Sequence, residues 1–259
     1  MIKIKIRRGI SKRKYTTFAA LAFVAVILLW AIASSAGLIK EIFLPNPLKV
    51  LAFFAQSLKD GSLWENTKIS VYRITLGFVY AMVLGIPTGI LMGSFKKIEA
   101  IIRPLCEFVR YMPVPAFVPL IMVWVGIGES AKITVIFIGT FFQLVLMVAD
   151  DTLSVPDDLI NAGYTLGTTT WNTIFKIIIP SMLPRLMETL RMMIGWAWTY
   201  LVSAELVAAN SGLGYTILKS QRFLKTDAIF AGIILIGLLG LVTDRIFAFA
   251  NKKFFPWTE

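Results

Sequence analysis

The sequence predicts an all-α, polytopic membrane protein with about six transmembrane helices, and three observations carry that prediction. Hydrophobic residues make up 57% of the chain and charged residues only 16%, against roughly 25% charged in a soluble domain. Mean hydropathy is +0.77. The apolar residues also gather in runs of about 20, the length a helix needs to cross the ~30 Å hydrocarbon core. In a chain of 259 residues such spans and their loops leave no room for a separate soluble domain, so residues 1–259 read as one transmembrane domain.

The elements follow in order. Residues 1–15 form a basic N-terminus: Lys3, Lys5, Arg7, Arg8, Lys12, Arg13 and Lys14 directly precede the first apolar run and read as a cytoplasmic anchor facing anionic lipid. The first span is placed at Thr16–Gly37. Ser34-Ser35-Ala36 offers small residues of the kind a signal peptidase cleaves after, but Phe18 to Ala36 exceeds the 7–15 residues of a signal core, so the helix is read as retained. Pro47–Lys59 reads as a short amphipathic helix with Val50, Phe53, Phe54 and Leu58 on one side, lying on the membrane or capping the bundle. The second span, Thr67–Met92, carries a small residue at every fourth position (Gly77, Ala81, Gly85, Gly89, Gly93). Such a stripe lets a neighbouring backbone approach closely, within the chain or across a subunit interface. The third, Ile98–Val125, contains Pro113, Pro115 and Pro119, which remove backbone donors and should kink or unwind it. Freed backbone groups at that depth are tolerated where protein or water satisfies them, so this span is read as lining a cavity. The fourth span is Ala131–Ala149. The fifth, Met187–Ala208, has a more polar stripe at Gly195, Thr199 and Ser203, and the sixth is Ala228–Ala250.

Six crossings put both termini on one side. The N-terminal cluster, Lys96, Lys97, Arg103, Lys252 and Lys253 make that side the cytoplasm; Lys219, Arg222 and Lys225 run against the rule, but flanks near the first helix weigh most. The excess of 26 Lys and Arg over 15 Asp and Glu, a net +11, is therefore read as membrane topology rather than nucleic-acid binding. The chain has no His and a single Cys, Cys106, which leaves no basis for a transition-metal site, a disulfide or a histidine proton relay. It has no GxxxxGK[S/T] loop, so any ATP must be bound by a partner. No catalytic residue is assigned.

Between the fourth and fifth spans, residues 154–180 look soluble and ordered. Ser154-Val155-Pro156-Asp157-Asp158 is a helix start, with Pro in the first turn and acids at the positive end of the dipole. Leu159, Ala162, Gly163 and Leu166 then share a face, and small residues at Ala162 and Gly163 would admit a partner surface. Gly167 supplies a left-handed terminus, and Thr168-Thr169-Thr170 cap a second helix whose register breaks at Pro180. The segment reads as a knob able to transmit rigid-body motion, or as an ordinary helical hairpin loop.

Ionisable groups within the spans point to pairing or to function. Arg110 shares a helix face with Glu107 and Arg103, as an ion pair near the membrane surface or as an anion-attracting group beside the Tyr111–Pro115 break. Gln143, one turn beyond Gly139, is the neutral polar candidate for a translocation path, which would also include Tyr111, Pro113, Pro115, Thr199 and Ser203. Glu205, on the same face as Trp198, would join an outer gate or hold the loop that follows. Arg73 is close enough to its helix end to snorkel, and Asp244-Arg245 reads as a local or interhelical pair.

The segment Asp157-Asp158-Leu159-Ile160-Asn161-Ala162-Gly163 through Gly167, with Ile177 to Pro180, resembles the Glu-Ala-Ala coupling loop of ATP-binding-cassette importer permeases. Leu44–Pro47, Arg73–Phe78, Gly85–Gly89, Pro113–Leu120, Trp124–Glu129 and Ala204-Glu205 with Gly212-Leu213-Gly214 match as well, across almost the whole chain. Together they resemble the nitrate/sulfonate/taurine branch, with Arg222–Asp227 leaning towards taurine and sulfonate members. Asn161 stands where that family commonly has Glu, and Gly163 where it has the second Ala. The resemblance implies a type I importer fold in the inner (cytoplasmic) membrane and a homodimer. It also implies a pair of ABC ATPase subunits that bind ATP and Mg, a soluble substrate-binding protein, and as cargo a small anion such as taurine, another sulfonate or nitrate, the alternative being a different small metabolite, neutral or cationic, in the same architecture. It assigns Asp158, Leu159, Asn161, Ala162, Gly163, Leu166, Gly167, Ile177 and Pro180 to ATPase coupling. An ion-coupled secondary transporter would need inverted repeats and a midplane ion site, neither of which is visible; a membrane enzyme or a purely structural adaptor fits less well.

Overall fold

A computed structural model describes residues 10–37, 39–206 and 209–258. Lys3, Lys5, Arg7 and Arg8 of the basic cluster, and the Ala208 end of the fifth span, lie outside these residues. The described chain is built of helices: α1 (Lys12–Ser35), α2 (Pro47–Lys59), α3 (Ser62–Ser94), α4 (Lys96–Arg110), α5 (Val114–Val125), α6 (Glu129–Leu153), α7 (Asp157–Thr165), α8 (Thr170–Thr173), α9 (Ile179–Leu206), α10 (Leu213–Arg222) and α11 (Thr226–Phe254).

The small-residue stripe of α3 is spent inside the chain. A Cβ on Gly77 would lie 2.8 Å from Ile136, on Gly85 3.2 Å from Leu144, on Gly89 2.6 Å from Val148 and on Gly93 2.5 Å from Thr152. Each partner lies 59 residues further along the chain, so α3 and α6 run parallel and in register from Gly77 to Gly93 of α3. Close backbone approach is what holds them, since lipid gives helices no hydrophobic drive to associate. Around this pair, Ile74, Phe78, Ile121, Ile136, Leu144, Met193, Ala197 and Leu201 form the buried core.

Parallel α3 and α6 require the intervening chain to cross back, and α4 with α5 does so. Arg103 of α4 meets Asp150 near the C-terminal end of α6, and α5 ends beside the N-terminal end of α6, where Met122 and Ala131 line a common small void. The expected single helix over Ile98–Val125 is instead two, bent by 103°. Pro113 fixes the break: it has no N–H to continue α4, and it disfavours helical backbone at Met112. Pro115 falls in the first turn of α5, where proline is accommodated, and Pro119 sits inside α5 without ending it.

By length and apolar composition, four helices among the described residues qualify as spans (α1, α3, α6 and α11), or five with the bent pair. The expected fifth span, α9, is not among them; it carries Arg185, Glu188, Arg191 and Glu205, which lower its hydropathy. It nevertheless runs antiparallel along α6: Thr189 bonds Asp151 near one end, and Gly139 meets Tyr200 further up. It also begins earlier than expected, at Ile179. The helix α11 lies against it through Arg191–Asp244 and Trp198–Thr243, so Asp244 pairs across helices rather than with Arg245. The first helix is peripheral, stacking Trp30 on Phe230 at 5.5 Å and donating from Trp30 Nε1 to Pro45 O. In α2, Val50 is buried and Phe53 and Phe54 half-buried, whereas Leu58, expected on the same side, is exposed.

Candidate functional site

Residues of functional interest fall at three levels of the bundle. At the end carrying the α6–α9 connection, α7 presents Leu159, Ala162 and Leu166 outward, with Leu166 84% exposed; Asp158 and Asn161 are exposed too. Gly163 is not on that face. It is buried, and a Cβ there would lie 2.4 Å from Ile177 Cδ1 and 3.1 Å from Thr168 Oγ1. Its missing side chain seats α7 on its own connection to α9 rather than admitting a partner, because Ile160 and Gly163 form the inward face.

The turn is closed by Gly167 at φ +81°, a left-handed conformation that disfavours other residues. The Thr168 N–H donates to Gly163 O at 3.1 Å, and the Asn172 N–H donates to the capping Thr169 hydroxyl. Pro180 does not break the helix as expected. One widened π-turn, Ile174–Ile178, precedes it and α9 continues through it; such a turn relaxes the ladder where a proline supplies no donor. Asp151 accepts from Thr189 Oγ1 at 2.6 Å and pairs with Arg185 at 3.0 Å, tying α6 to α9 at the root of the loop. The hairpin is therefore a stiff peg continuous with α9.

Midway along the bundle, the α4–α5 break opens on a cavity of about 220 Å³. Arg110, Gln143 and Tyr200 line it, with Trp196, Phe117 and Gly139 among the others. Arg110 donates to Tyr111 Oη at 3.0 Å and reaches Gln143 Oε1 at 3.5 Å. The expected Arg103–Glu107–Arg110 pairing does not form. Arg103 pairs instead with Glu99 and Asp150, and Arg110 has no carboxylate within 4.0 Å among the described residues. Trp196 and Tyr200 stack at 6.1 Å, and Tyr200 packs on Gly139, where a Cβ would lie 2.6 Å from the ring. Of the residues expected along a path, Arg110 and Gln143 line this cavity and Tyr111 stands beside it as a partner of Arg110; Tyr200 and Trp196 also line it and were not expected, since nothing in their spacing along α9 sets them apart from packing aromatics. Pro113 and Pro115 are exposed at the break; Thr199 is exposed, and Ser203 is half-buried further along α9.

At the opposite end from the peg, a charge cluster is built into the bundle, with Arg73, Lys132 and Glu205 buried and Glu129 partly exposed. Arg73, expected to snorkel, is fully buried. It grips Glu129 with two bonds of 2.6 and 2.7 Å, Glu205 at 2.7 Å, and the Ser211 carbonyl at 2.8 Å. Glu205, also fully buried, accepts from Ser70 Oγ and from the Gly214 N–H, each at 2.7 Å. Lys132 completes the set on Glu129 at 2.8 Å, so two cations face two carboxylates. Gly212, at φ +116°, passes so close that a Cβ would lie 2.4 Å from the Glu205 carboxylate. Glu205 thus holds the α9–α10 loop with its side chain fully buried. The overlooked signal was ionisable residues at the same end of three helices: Arg73 in α3, Glu129 and Lys132 in α6, and Glu205 in α9.

With this geometry established, comparisons with known proteins are specific. A family model described as binding-protein-dependent transport system inner membrane component matches residues 85–256. The chain is 38% identical to a putative ABC transporter permease protein of Methanocaldococcus jannaschii, over 80% of this chain and 78% of that protein. It is 31% identical to the taurine transport system permease protein of Escherichia coli, over 98% and 94%. Its fold is similar to that in inward-facing structures of the MetNI methionine ABC transporter, with a TM-score of 0.58 at 21% identity, covering 74% of this chain and 95% of that one.

Proposed function

Since the chain belongs to the family of binding-protein-dependent transport system inner membrane components, and is thus a multi-pass inner-membrane permease of an ABC importer, we propose how it is assembled and what it carries. Two copies form the translocation unit, two ATPase subunits that bind ATP and Mg dock on the α7 pegs, and a soluble binding protein delivers cargo at the Arg73–Glu205 end. The peg side and both termini face the cytoplasm. Basic residues flanking the helices at that end support this orientation, namely Arg13, Lys14, Lys96, Lys97, Lys252 and Lys253. The chain performs no bond chemistry of its own. The cargo is a small anion of the sulfonate or taurine kind, a reading supported by the taurine permease relative.

The observation that carries this reading is the exposed apolar ridge of Leu159, Ala162 and Leu166 on a peg that is rigidly joined to α9. Leu166 is 84% exposed on a polar loop, and an apolar ridge of this kind fits a complementary groove on a partner. Because α9 runs 28 residues from the peg to Glu205, about 42 Å at 1.5 Å per residue, movement of the peg would be felt along the whole bundle. ATP binding would draw the two pegs together and exchange inward-open for outward-open states.

Affinity purification of the tagged permease from its native membrane, with the co-purifying ATPase quantified, tests the docking. Leu166→Glu is expected to remove the ATPase from the purified complex while leaving the permease inserted in the membrane. Recovery of stoichiometric ATPase with Leu166→Glu would count against the peg as the docking element.

A further inference from the structure

We propose that the cavity at the α4–α5 break is a subsite for a small oxyanion, anchored by Arg110 with Gln143 as a second donor. This rests on the importer reading and adds the chemistry by which the membrane domain itself would hold its cargo.

The polar groups around the cavity are lopsided. Arg110, Gln143, Tyr200 and Trp196 line it, and no Asp or Glu among the described residues does. A guanidinium has five N–H donors and no acceptor, and an indole only donates. With its carbonyl turned to Arg110 at 3.5 Å, Gln143 keeps its amide NH₂ for another partner. The site therefore offers donors and one full positive charge.

That charge is not neutralised. Arg110 is held by the hydroxyl of Tyr111 at 3.0 Å and by the Tyr111 ring, 4.8 Å from its guanidinium carbon. Both contacts orient the group; neither brings a counter-charge. Ionisable groups in a span are costly and normally paired, and Arg73, Arg103, Arg185 and Arg191 each have a carboxylate within 3.0 Å. What Arg110 lacks is an anion.

The dimensions limit the occupant. About 220 Å³ is below the roughly 300–1,000 Å³ of pockets for drug-sized ligands, which suits an ion of a few heavy atoms. The planar guanidinium fork matches two oxygens of a sulfonate, nitrate or carboxylate. The stacked Trp196–Tyr200 pair supplies an apolar wall for a short carbon chain. Gly139 sets how far the Tyr200 ring can withdraw.

Uptake by proteoliposomes holding the permease, its ATPase and its binding protein tests the assignment, with labelled taurine, nitrate and bicarbonate as probes and ribose as a neutral control. Arg110→Gln is expected to lower uptake of whichever anion the wild type carries by about tenfold or more, the scale of one lost charge-assisted hydrogen bond. Arg110→Lys should restore part of it, and Gln143→Leu should give a smaller loss, with ATPase content unchanged throughout. Undiminished anion uptake by Arg110→Gln overturns the subsite and leaves the importer reading standing. If that variant also sheds its ATPase, Gln143→Leu decides, and undiminished uptake there overturns the proposal. A wild-type complex that moves ribose and none of the anions defeats both the subsite and the anion reading.

Discussion

Arg73 and Arg110 bring the same guanidinium into one helical bundle and meet opposite surroundings. Arg73 spends Nε, Nη1 and Nη2 on two carboxylates and a carbonyl, with none of its surface exposed. Arg110 lies on a cavity wall with a phenol and an amide for company. The first arrangement joins α3, α6, α9 and the loop after α9 into one block; its charges are compensated, so it offers nothing to a ligand. The second contributes little to joining helices and keeps its charge available. In a membrane protein the informative question about an arginine set in the bundle, whether fully buried like Arg73 or exposed at a break like Arg110, is whether its counter-charge belongs to the chain. Where it does, the residue is a fastener. Where it does not, the deficit marks a place for something that arrives.

Removing a fastener should therefore have the largest effect on stability. Glu205→Ala would strand the Ser70 hydroxyl, the Gly214 N–H and one edge of Arg73 in a sealed site. Breaking one side of a buried pair costs about 3–5 kcal/mol, so thermal unfolding in detergent should shift strongly downward. Glu205→Gln, which keeps an acceptor but not the charge, should lose less. A melting temperature unmoved by Glu205→Ala would show that the cluster does not fasten the bundle and would dissolve the contrast with Arg110.

A smaller loss is expected where the fastener depends on helix register. Arg73 reaches Glu129 because α3 and α6 lie in contact through the glycine stripe. In Gly89→Ala the new Cβ would meet Val148 at 2.6 Å and the Val145 carbonyl at 2.8 Å. The backbone on one side leaves little room to yield, and overpacking of this kind costs about 1–3 kcal/mol. Gly195→Ala, on the open face of α9 with nothing within 4 Å, is the matched control and should be near neutral. Equal melting temperatures for the two variants would mean that the close approach of α3 to α6 is not what sets the register.

Much of this was legible in the sequence, and the failures have physical causes. The spans, the short helix over Pro47–Lys59 and the close packing of the α3 stripe follow from periodicity and residue size, which are local. The break at Pro113 was foreseen, but its 103° angle was not, because proline dictates where a ladder stops and not how the pieces then pack. Gly163 was placed on the outer face since helical spacing groups it with Leu159 and Leu166. Its true neighbour, Ile177, lies across a turn whose geometry depends on Gly167 and the Thr168–Thr173 contact. Arg73 was misjudged for the same reason: its depth along α3 is readable, while its partners come from two helices that lie 56 and 132 residues further on.

The smallest stability effect should come from Arg110 itself, and this outcome separates the two arginines most sharply. Arg110→Gln removes one contact to Tyr111 and one long contact to Gln143, and it strands no carboxylate. It also relieves a charge that the fold leaves uncompensated, which offsets those lost contacts. The melting temperature should accordingly change by no more than substitutions on an open surface produce, within about 0.5 kcal/mol. A uniform role for arginines as bundle fasteners requires the opposite, a loss approaching that of Glu205→Ala. Adding, at millimolar concentration, whichever of taurine, nitrate and bicarbonate the wild type carries should raise the melting temperature of the wild-type permease and not that of Arg110→Gln, because a ligand stabilises only the state that binds it. Equal shifts in the two proteins would place the anion elsewhere in the bundle, and a large destabilisation by Arg110→Gln without ligand would make Arg110 a second fastener.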